Sequence, residues 1–213
     1  MTSKLNIFLN EYFPKLSLTP GLFYEWSPAL RFELGIDYSH ELAYPNSPYL
    51  QQVYHRAKTL FSAVNDKEDD IFLLVDATGG KVFDKKKLPH KHQNLFFPYV
   101  RNREILKKLT LEKIDLPEEE RCFSRFVLPC KVKEIRMHKL LEAICNQDMG
   151  IIPQYQLPVY VVNKTKQTIF YAYDDQGCDI LAAKTSKITH VYEQFNAWIL
   201  DYDRKQIDSV FKR

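Results

Sequence analysis

Three short segments near the C terminus constrain the fold most, and they are rich in branched and aromatic residues: Val159–Val162, Ile169–Tyr173 and Ile180–Ala183. Residues 163–166 and 174–177, which separate them, have the Asn, Asp, Lys and Gly composition that is typical of tight turns. Short β-segments joined by such turns pair with their neighbours in sequence. The pattern predicts a three-stranded antiparallel meander, and therefore a sheet against which the rest of the chain packs.

Apolar stripes at helical spacing accompany this sheet. After Ser47 and Pro48, which read as an N-cap and a first-turn proline, one stripe comprises Leu50, Val53, Tyr54, Ala57, Leu60, Phe61 and Val64. A second stripe begins near Ser186 and comprises Ile188, Val191, Tyr192, Phe195, Trp198, Ile199 and Tyr202. Each stripe predicts a helix with one buried face. Shorter helices are predicted around Leu5–Tyr12 and Met137–Cys145, and Asp203 and Gln206 are read as the start of a further helix.

Further strands are predicted before and between these helices. Leu30, Phe32 and Leu34 alternate with charged residues, as in a strand with one buried face. The run Ile71–Val75 is uniformly apolar and predicts a strand covered on both faces. A strand is also predicted over Cys122–Cys130. A strand, a long helix and a second strand in this order suggest a crossover unit.

These elements predict one α+β domain over residues 1–213. We expect a single mixed, mostly antiparallel sheet flanked by helices, with a C-terminal three-stranded meander followed by a helix. A chain of 213 residues is long enough for one core, since it buries ~70% of the surface that the unfolded chain exposes.

Composition excludes several classes of protein. The formal net charge is +3, from 30 Lys and Arg against 27 Asp and Glu, which by itself attracts neither nucleic acid nor a membrane. No apolar run approaches the ~20 residues that span a bilayer, and no signal peptide is evident at the start. Four widely spaced cysteines favour reduced thiols, so we expect a cytoplasmic protein. Motifs of common hydrolases, kinases and dehydrogenases are lacking, and no cofactor is predicted.

The acidic hairpin, defined as Tyr173–Asp179 (YDDQGCD), is the most conspicuous candidate site. One interpretation is a tight turn, in which an Asp side chain caps the backbone and Gly177 adopts a positive φ. The alternative is a divalent-cation site made of Asp174, Asp175 and Asp179, with His138 or Asp148 as further ligands. The turn is favoured because the calcium-loop pattern, with its distal Glu, does not follow.

Two other regions carry charge that a partner could use. The basic loop, residues 81–92, contains five lysines with His90 and His92; we interpret it as a solvated loop rather than as a phosphate or zinc site. Arg31 and Glu33 share the outward face of a predicted strand, where charged side chains are exposed, paired or functional.

A series of phrases along nearly the whole chain resembles a bacterial family catalogued as domain of unknown function 3885: LFYEW, RFELG, VYHRAKTLF, DDIFLLV, AICNQDMGI, YDDQGCD and NAWILDYDRKQID. The most specific part lies in the segment of about 157–211. This chain has Gln176 where the family commonly carries Arg, and Ala197 where an Asp is usual. If that Arg were a catalytic or anion-binding group, this chain would lack it. The role of the segment as a tight turn does not depend on it.

The resemblance implies a small accessory protein of the kind encoded beside bacterial toxins, which acts by binding. We therefore expect a non-enzymatic protein-binding module, an immunity or antitoxin protein with a toxin-like protein partner. The predicted partner-binding residues are Arg31, Glu33, Asp174, Asp175, Gln176 and Asp179. The alternative function is a metal-dependent hydrolase or nuclease that uses the acidic hairpin.

Overall fold

The structure is a computed structural model that describes residues 3–78, 93–114 and 123–212. The basic loop, and Cys122 at the start of the strand predicted over Cys122–Cys130, lie outside the described residues.

A seven-stranded sheet forms the centre of the described chain, in the order β1-β7-β6-β5-β2-β4-β3. Its strands are β1 (Ala29–Glu33), β2 (Asp70–Thr78), β3 (Thr110–Ile114), β4 (Phe123–Lys131), β5 (Val159–Asn163), β6 (Thr168–Ala172) and β7 (Gly177–Ala182). The predicted C-terminal meander is confirmed as β5-β6-β7, because each pair is antiparallel and adjacent. A single sheet with flanking helices confirms the α+β class.

Every neighbouring pair of these described strands is antiparallel, which corrects the expected mixed character of the sheet. The strand-helix-strand pattern suggested a crossover between close strands. Instead β7, β6 and β5 lie between β1 and β2, so the long helix connects two strands that do not pair. The reason is that the C-terminal meander, which comes last in sequence, fills the centre of the sheet.

The helices of the described residues are α1 (Lys4–Tyr12), α2 (Leu22–Glu25), α3 (Pro48–Val64), α4 (Met137–Cys145), α5 (Thr189–Gln194) and α6 (Arg204–Phe211). Short 3-10 segments occur at His40–Leu42, Gln93–Leu95, Arg103–Lys108, Val132–Glu134, Thr185–Lys187, Asn196–Trp198 and Asp201–Asp203. The start of α3 is as predicted: the Ser47 hydroxyl accepts the Leu50 N–H at 3.2 Å and Pro48 is the first helical residue.

The helix predicted from near Ser186, which is α5, is shorter than its apolar stripe. It ends at Gln194, and the chain then runs beside the outer edge of β1, where Ile199 bridges to Phe32 and the Leu200 N–H donates to the Arg31 carbonyl at 3.1 Å. These contacts satisfy backbone groups of an edge strand, and the extended backbone that they require is incompatible with a continuous helix.

Helices cover both faces of the sheet. On one face, Phe61 of α3 packs edge-on against Phe170 of β6, with ring centroids 5.4 Å apart. On the other, Phe8 of α1 packs against Phe72 of β2 at 6.4 Å. All residues of β5, β6 and β7 are consequently buried. No described helix combines the length and apolar character required to cross a bilayer.

Candidate functional site

A row of polar side chains crosses the buried face of the sheet beneath α2. Arg31, Asp179 and Tyr171 lie opposite one another on β1, β7 and β6, as the strand register requires. Tyr171 stacks on Tyr160 with ring centroids 4.6 Å apart. Strand side chains alternate between faces and residues paired across strands share a face, so Arg31, Asp179 and Tyr171 place three polar groups side by side in the buried layer.

Arg31 and Asp179 form a bidentate ion pair at the β1 end of this row. The Nε–Oδ1 distance is 2.8 Å and the Nη2–Oδ2 distance is 3.1 Å. Asp203 accepts a weaker bond from Arg31 Nη1 at 3.4 Å, and the Phe23 N–H donates to Asp179. The guanidinium also lies over the Tyr24 ring, 4.6 Å from its centroid. Thus β1, β7, α2 and the 3-10 segment Asp201–Asp203 converge on one buried charge pair.

Burial raises the pKa of the Asp179 carboxyl, and the hydrogen bonds and charge of Arg31 oppose that rise. The side chains are 0% exposed for Asp179 and 12% for Arg31. Two of the six residues predicted to bind a partner are therefore structural, buried side chains. Sequence reasoning placed Arg31 on an outward face because α2 is too short to be recognised from its apolar spacing.

The acidic hairpin contains the predicted turn, with one correction. Asp174 Oδ1 accepts the N–H groups of Gln176 at 2.7 Å and Gly177 at 3.3 Å, which is an Asx-type turn. Burial, and secondarily the neighbouring charge of Asp175, raises the pKa of Asp174, while the two N–H groups lower it. Gly177 does not have the predicted positive φ. It is required because a Cβ would overlap the Tyr173 hydroxyl and approach the Phe32 carbonyl at 2.9 Å.

Asp175 turns away from the hairpin and accepts a hydrogen bond from the hydroxyl of Tyr49, in the first turn of α3. Burial and this bond raise the pKa of Tyr49, so the phenol remains the donor. Gly35 allows this arrangement, because a Cβ there would overlap the Tyr49 hydroxyl. The two aromatic hydroxyls of Tyr49 and Tyr173 thus occupy the space that two glycines leave open.

These residues line an open cleft of about 440 Å³, which we call the acidic cleft. Its lining residues are Phe32, Glu33, Gly35, Tyr38, Tyr49, Asp148, Met149, Tyr173, Asp175, Gln176 and Leu200. Three carboxylates and three phenols line it, and no lysine or arginine among the described residues does so. Glu33 is half-buried and Asp148 is exposed at the rim, whereas Asp175 is buried.

The structure therefore brings together Glu33, Asp175 and Gln176 of the predicted set. Asp174 supports the turn from behind the cleft, and Arg31 and Asp179 lie beneath it. Sequence reasoning missed Tyr38 and Tyr49 and did not connect Asp148 with Glu33. The sequence signal for Tyr49 was a tyrosine in the first turn of a strong helix, but its partner is 126 residues away.

The hairpin carboxylates do not converge on a common point. Asp174 accepts backbone N–H groups, Asp175 accepts the Tyr49 hydroxyl and Asp179 is paired with Arg31. Within residues 3–78, 93–114 and 123–212, no group of three or more His, Cys, Asp or Glu side chains is arranged to hold a metal ion. The hydrolase alternative thus obtains no support from the described residues.

The described cysteines are unsuited to nucleophilic chemistry. Cys130, Cys145 and Cys178 are buried free thiols. Burial raises the pKa of Cys130 to about 12 and raises those of Cys145 and Cys178 as well. A thiol with a raised pKa forms little of the reactive thiolate at neutral pH.

Comparison with known proteins places the chain in a family. The model of the family described as Domain of unknown function (DUF3885) matches residues 5–203. The chain belongs to this family. It is 28% identical over 211 residues to the Uncharacterized protein YnaE of Bacillus subtilis (strain 168), a match that covers 92% of this chain and 96% of that protein. No solved structure matches the chain. The family model includes β1, the acidic hairpin and Leu200, and thus every residue lining the acidic cleft.

A double-mutant cycle tests the buried ion pair. Replacing Arg31 by Met leaves Asp179 buried without its cation, and we expect the free energy of unfolding to fall by ~3–5 kcal/mol. Asp179→Asn should be similarly costly, and the double variant should lose less than the sum of the two. Urea unfolding measures all four proteins. Additive losses would show that the two side chains do not act as a pair.

The loss of stability caused by Arg31→Met should depend on pH. Arg31→Met removes the group that lowers the pKa of Asp179, so this pKa in the folded state rises further above its unfolded value of ~4. Stability from such a raised carboxyl is fully present below the unfolded pKa and is lost as pH rises through the folded pKa. The cost of the substitution should therefore be smaller at pH ~4 than at pH ~7. An equal cost at both values would contradict this description.

Gly35→Ala tests the packing of Tyr49 in the acidic cleft. The added methyl group would displace the Tyr49 hydroxyl and the adjacent ring edge, both of which overlap the position of the new Cβ, and overpacking of this kind costs ~1–3 kcal/mol. In a Tyr49→Ala background both the hydroxyl and the ring are absent, so the added cost of Gly35→Ala should fall markedly. Thermal and urea unfolding compare the two backgrounds. The same cost in both would mean that Gly35 is needed for another reason.

Proposed function

We propose that the protein is a non-enzymatic protein-binding module whose acidic cleft accepts a basic side chain of a partner protein. The observation that carries this proposal is the composition of the cleft wall: among the described residues that line it, every charged residue is acidic and three of the four aromatic residues are tyrosines. Carboxylates and aromatic faces are the groups that bind a lysine or arginine side chain. A cleft of about 440 Å³ is large enough for one such side chain.

The distribution of exposure supports docking from outside. Glu33 and Asp148 flank the opening, and Tyr38 beside them is 47% exposed. Tyr202, in the 3-10 segment that follows the lining residue Leu200, is 86% exposed. Exposed tyrosines contribute large contact areas at low entropic cost and are enriched in protein interfaces. Acidic groups with aromatic neighbours favour a basic partner surface through complementary charge.

The narrower proposal is that the partner is a protein toxin and that binding neutralises it in the cytoplasm. This role as an immunity or antitoxin protein rests on the family resemblance, whereas the cleft specifies only the basic chemistry of the partner. Of the six residues predicted to bind a partner, Glu33, Asp175 and Gln176 line the acidic cleft. We propose that these three contact the partner directly. Asp174 contributes by holding the turn that presents Asp175 and Gln176.

Affinity capture from the native organism with charge-neutral variants tests the proposal. The double variant Glu33→Gln and Asp148→Asn keeps the shapes of both side chains and removes both rim charges. We expect the affinity for the captured partner to fall at least about tenfold, since the variant lacks both carboxylate charges that would contact the basic side chain, and a tenfold change corresponds to ~1.4 kcal/mol.

The matched control is Glu11→Gln with Glu193→Gln, two exposed carboxylates outside the cleft. It should capture the same partner with unchanged affinity. Equal binding by the cleft variant would exclude the cleft as the docking site. For the immunity role, the captured protein should inhibit growth when expressed alone, and co-expression of the wild-type chain but not the cleft variant should restore growth.

A further inference from the structure

A second cavity, of about 690 Å³, has the opposite charge to the acidic cleft and shares no residue with it. Its basic lining residues are Lys67, Arg101, Lys133, Arg136, His138 and Lys139, and no aspartate or glutamate of the described ranges lines it. Phe61, Val132, Ile135 and Met137 form apolar parts of the wall. We call this cavity the basic groove. Five permanently charged cations around one concavity repel each other, so an anion would be stabilised there.

Most of these cations form no ion pair with a described residue. Lys67, Arg101, Arg136 and Lys139 form none, and Lys133 pairs with Glu68 at 2.8 Å. Carboxylates that are next to these cations in the chain contact other groups: Asp66 pairs with Lys166 at 2.9 Å, and Glu134 accepts the backbone N–H of Lys131 at 2.7 Å.

Arg136 is fixed in place without being neutralised. Its Nη1 donates to two backbone carbonyls, those of Pro98 at 3.3 Å and Val100. The bridge between Val100 and Ile135 and the bond from Arg101 N–H to the Glu134 carbonyl at 2.8 Å join the two chain segments of the wall. A guanidinium that is held by neutral acceptors keeps its full charge and has its remaining N–H groups available for an anion.

The amino end of α4 adds to the same potential. Arg136 is its N-cap residue, no side chain caps it, and its first turn contains no acidic residue. Met137, His138 and Lys139, which form this turn, all line the basic groove. The first N–H groups of a helix lack intrahelical acceptors and carry partial positive charge. They add hydrogen-bond donors to a site already defined by its side chains.

We propose that the basic groove binds an organic phosphate, a small molecule that carries one or more phosphate groups, such as a nucleotide. Fork-shaped arginine donors and lysine charges are the groups that bind phosphate. The apolar lining residues are each at most 8% exposed, so the charged side chains define the site, and its volume falls within the ~300–1,000 Å³ of small-molecule sites.

A nucleic-acid strand fits these observations less well. The aromatic residue of the lining, Phe61, is 3% exposed, so it offers no face on which bases stack. The chain as a whole has a net charge of only +3, whereas nucleic-acid-binding domains are commonly strongly basic. The positive charge is local, as suits a small ligand.

Calorimetric titration of the full chain with sodium tripolyphosphate and with magnesium-free ATP tests this proposal. The test variant carries Arg101→Glu and Lys139→Glu, and both wild-type side chains are exposed. The control carries Lys187→Glu and Lys205→Glu, which make the same change in net charge at exposed lysines outside the basic groove. Circular dichroism verifies that both variants are folded.

We expect both probes to bind the wild-type chain with 1:1 stoichiometry, because both carry the linked phosphate groups that the cations of the groove would contact. The test variant should bind the probes at least about tenfold more weakly than the wild type, and the affinity of the control should lie within about twofold of the wild type. The reason is that reversing a charge in contact with the ligand lowers the affinity more than reversing a distant, screened charge. The proposal is overturned if neither probe binds, or if both variants weaken binding equally. Binding of a single-stranded oligonucleotide without binding of either small probe would also overturn it.

Discussion

The buried pair of Arg31 and Asp179 is the interaction on which the arrangement of the site depends. Neither charge is stable in the interior alone, since an unpaired buried charge costs several kcal/mol. The pair therefore requires β1 to lie against β7 in one register, α2 to cover the guanidinium and Asp203 to approach from the C-terminal segment. That register places Glu33 opposite Gly177, beside the acidic hairpin.

The positions of the side chains that line the acidic cleft depend on this register. Gly177 lacks a side chain, so the Tyr173 ring can lie against the strand, and Gly35 makes the equivalent space for Tyr49. Tyr49 then holds Asp175 towards the cleft while Asp174 closes the turn. The positions of the acidic groups are therefore set by packing and hydrogen bonds before any partner arrives. Such preorganisation lowers the entropic cost of binding.

Local patterns in the sequence predicted the meander, the start of α3 and the turn at Asp174, because each depends on residues close together in the chain. The sheet order was beyond such patterns, since the meander inserts between β1 and β2, which are joined by α3. The ion pair links residues 148 apart and the Tyr49 bond links residues 126 apart. A periodic pattern shows which residues share a face of a strand, but it does not show which other element packs on that face. Arg31 was therefore expected on an exposed surface, although α2 covers it.

We propose that the acidic cleft is a preformed site for a cationic side chain. Amide chemical-shift mapping with n-butylguanidinium, an arginine side-chain analogue, tests this proposal directly, with n-butanol as the uncharged control. We expect saturable shifts at Gly35, Met149, Gln176 and Gly177 with the cation and none with the alcohol. Shifts that are absent, that are spread over the surface or that are the same with both compounds would contradict it.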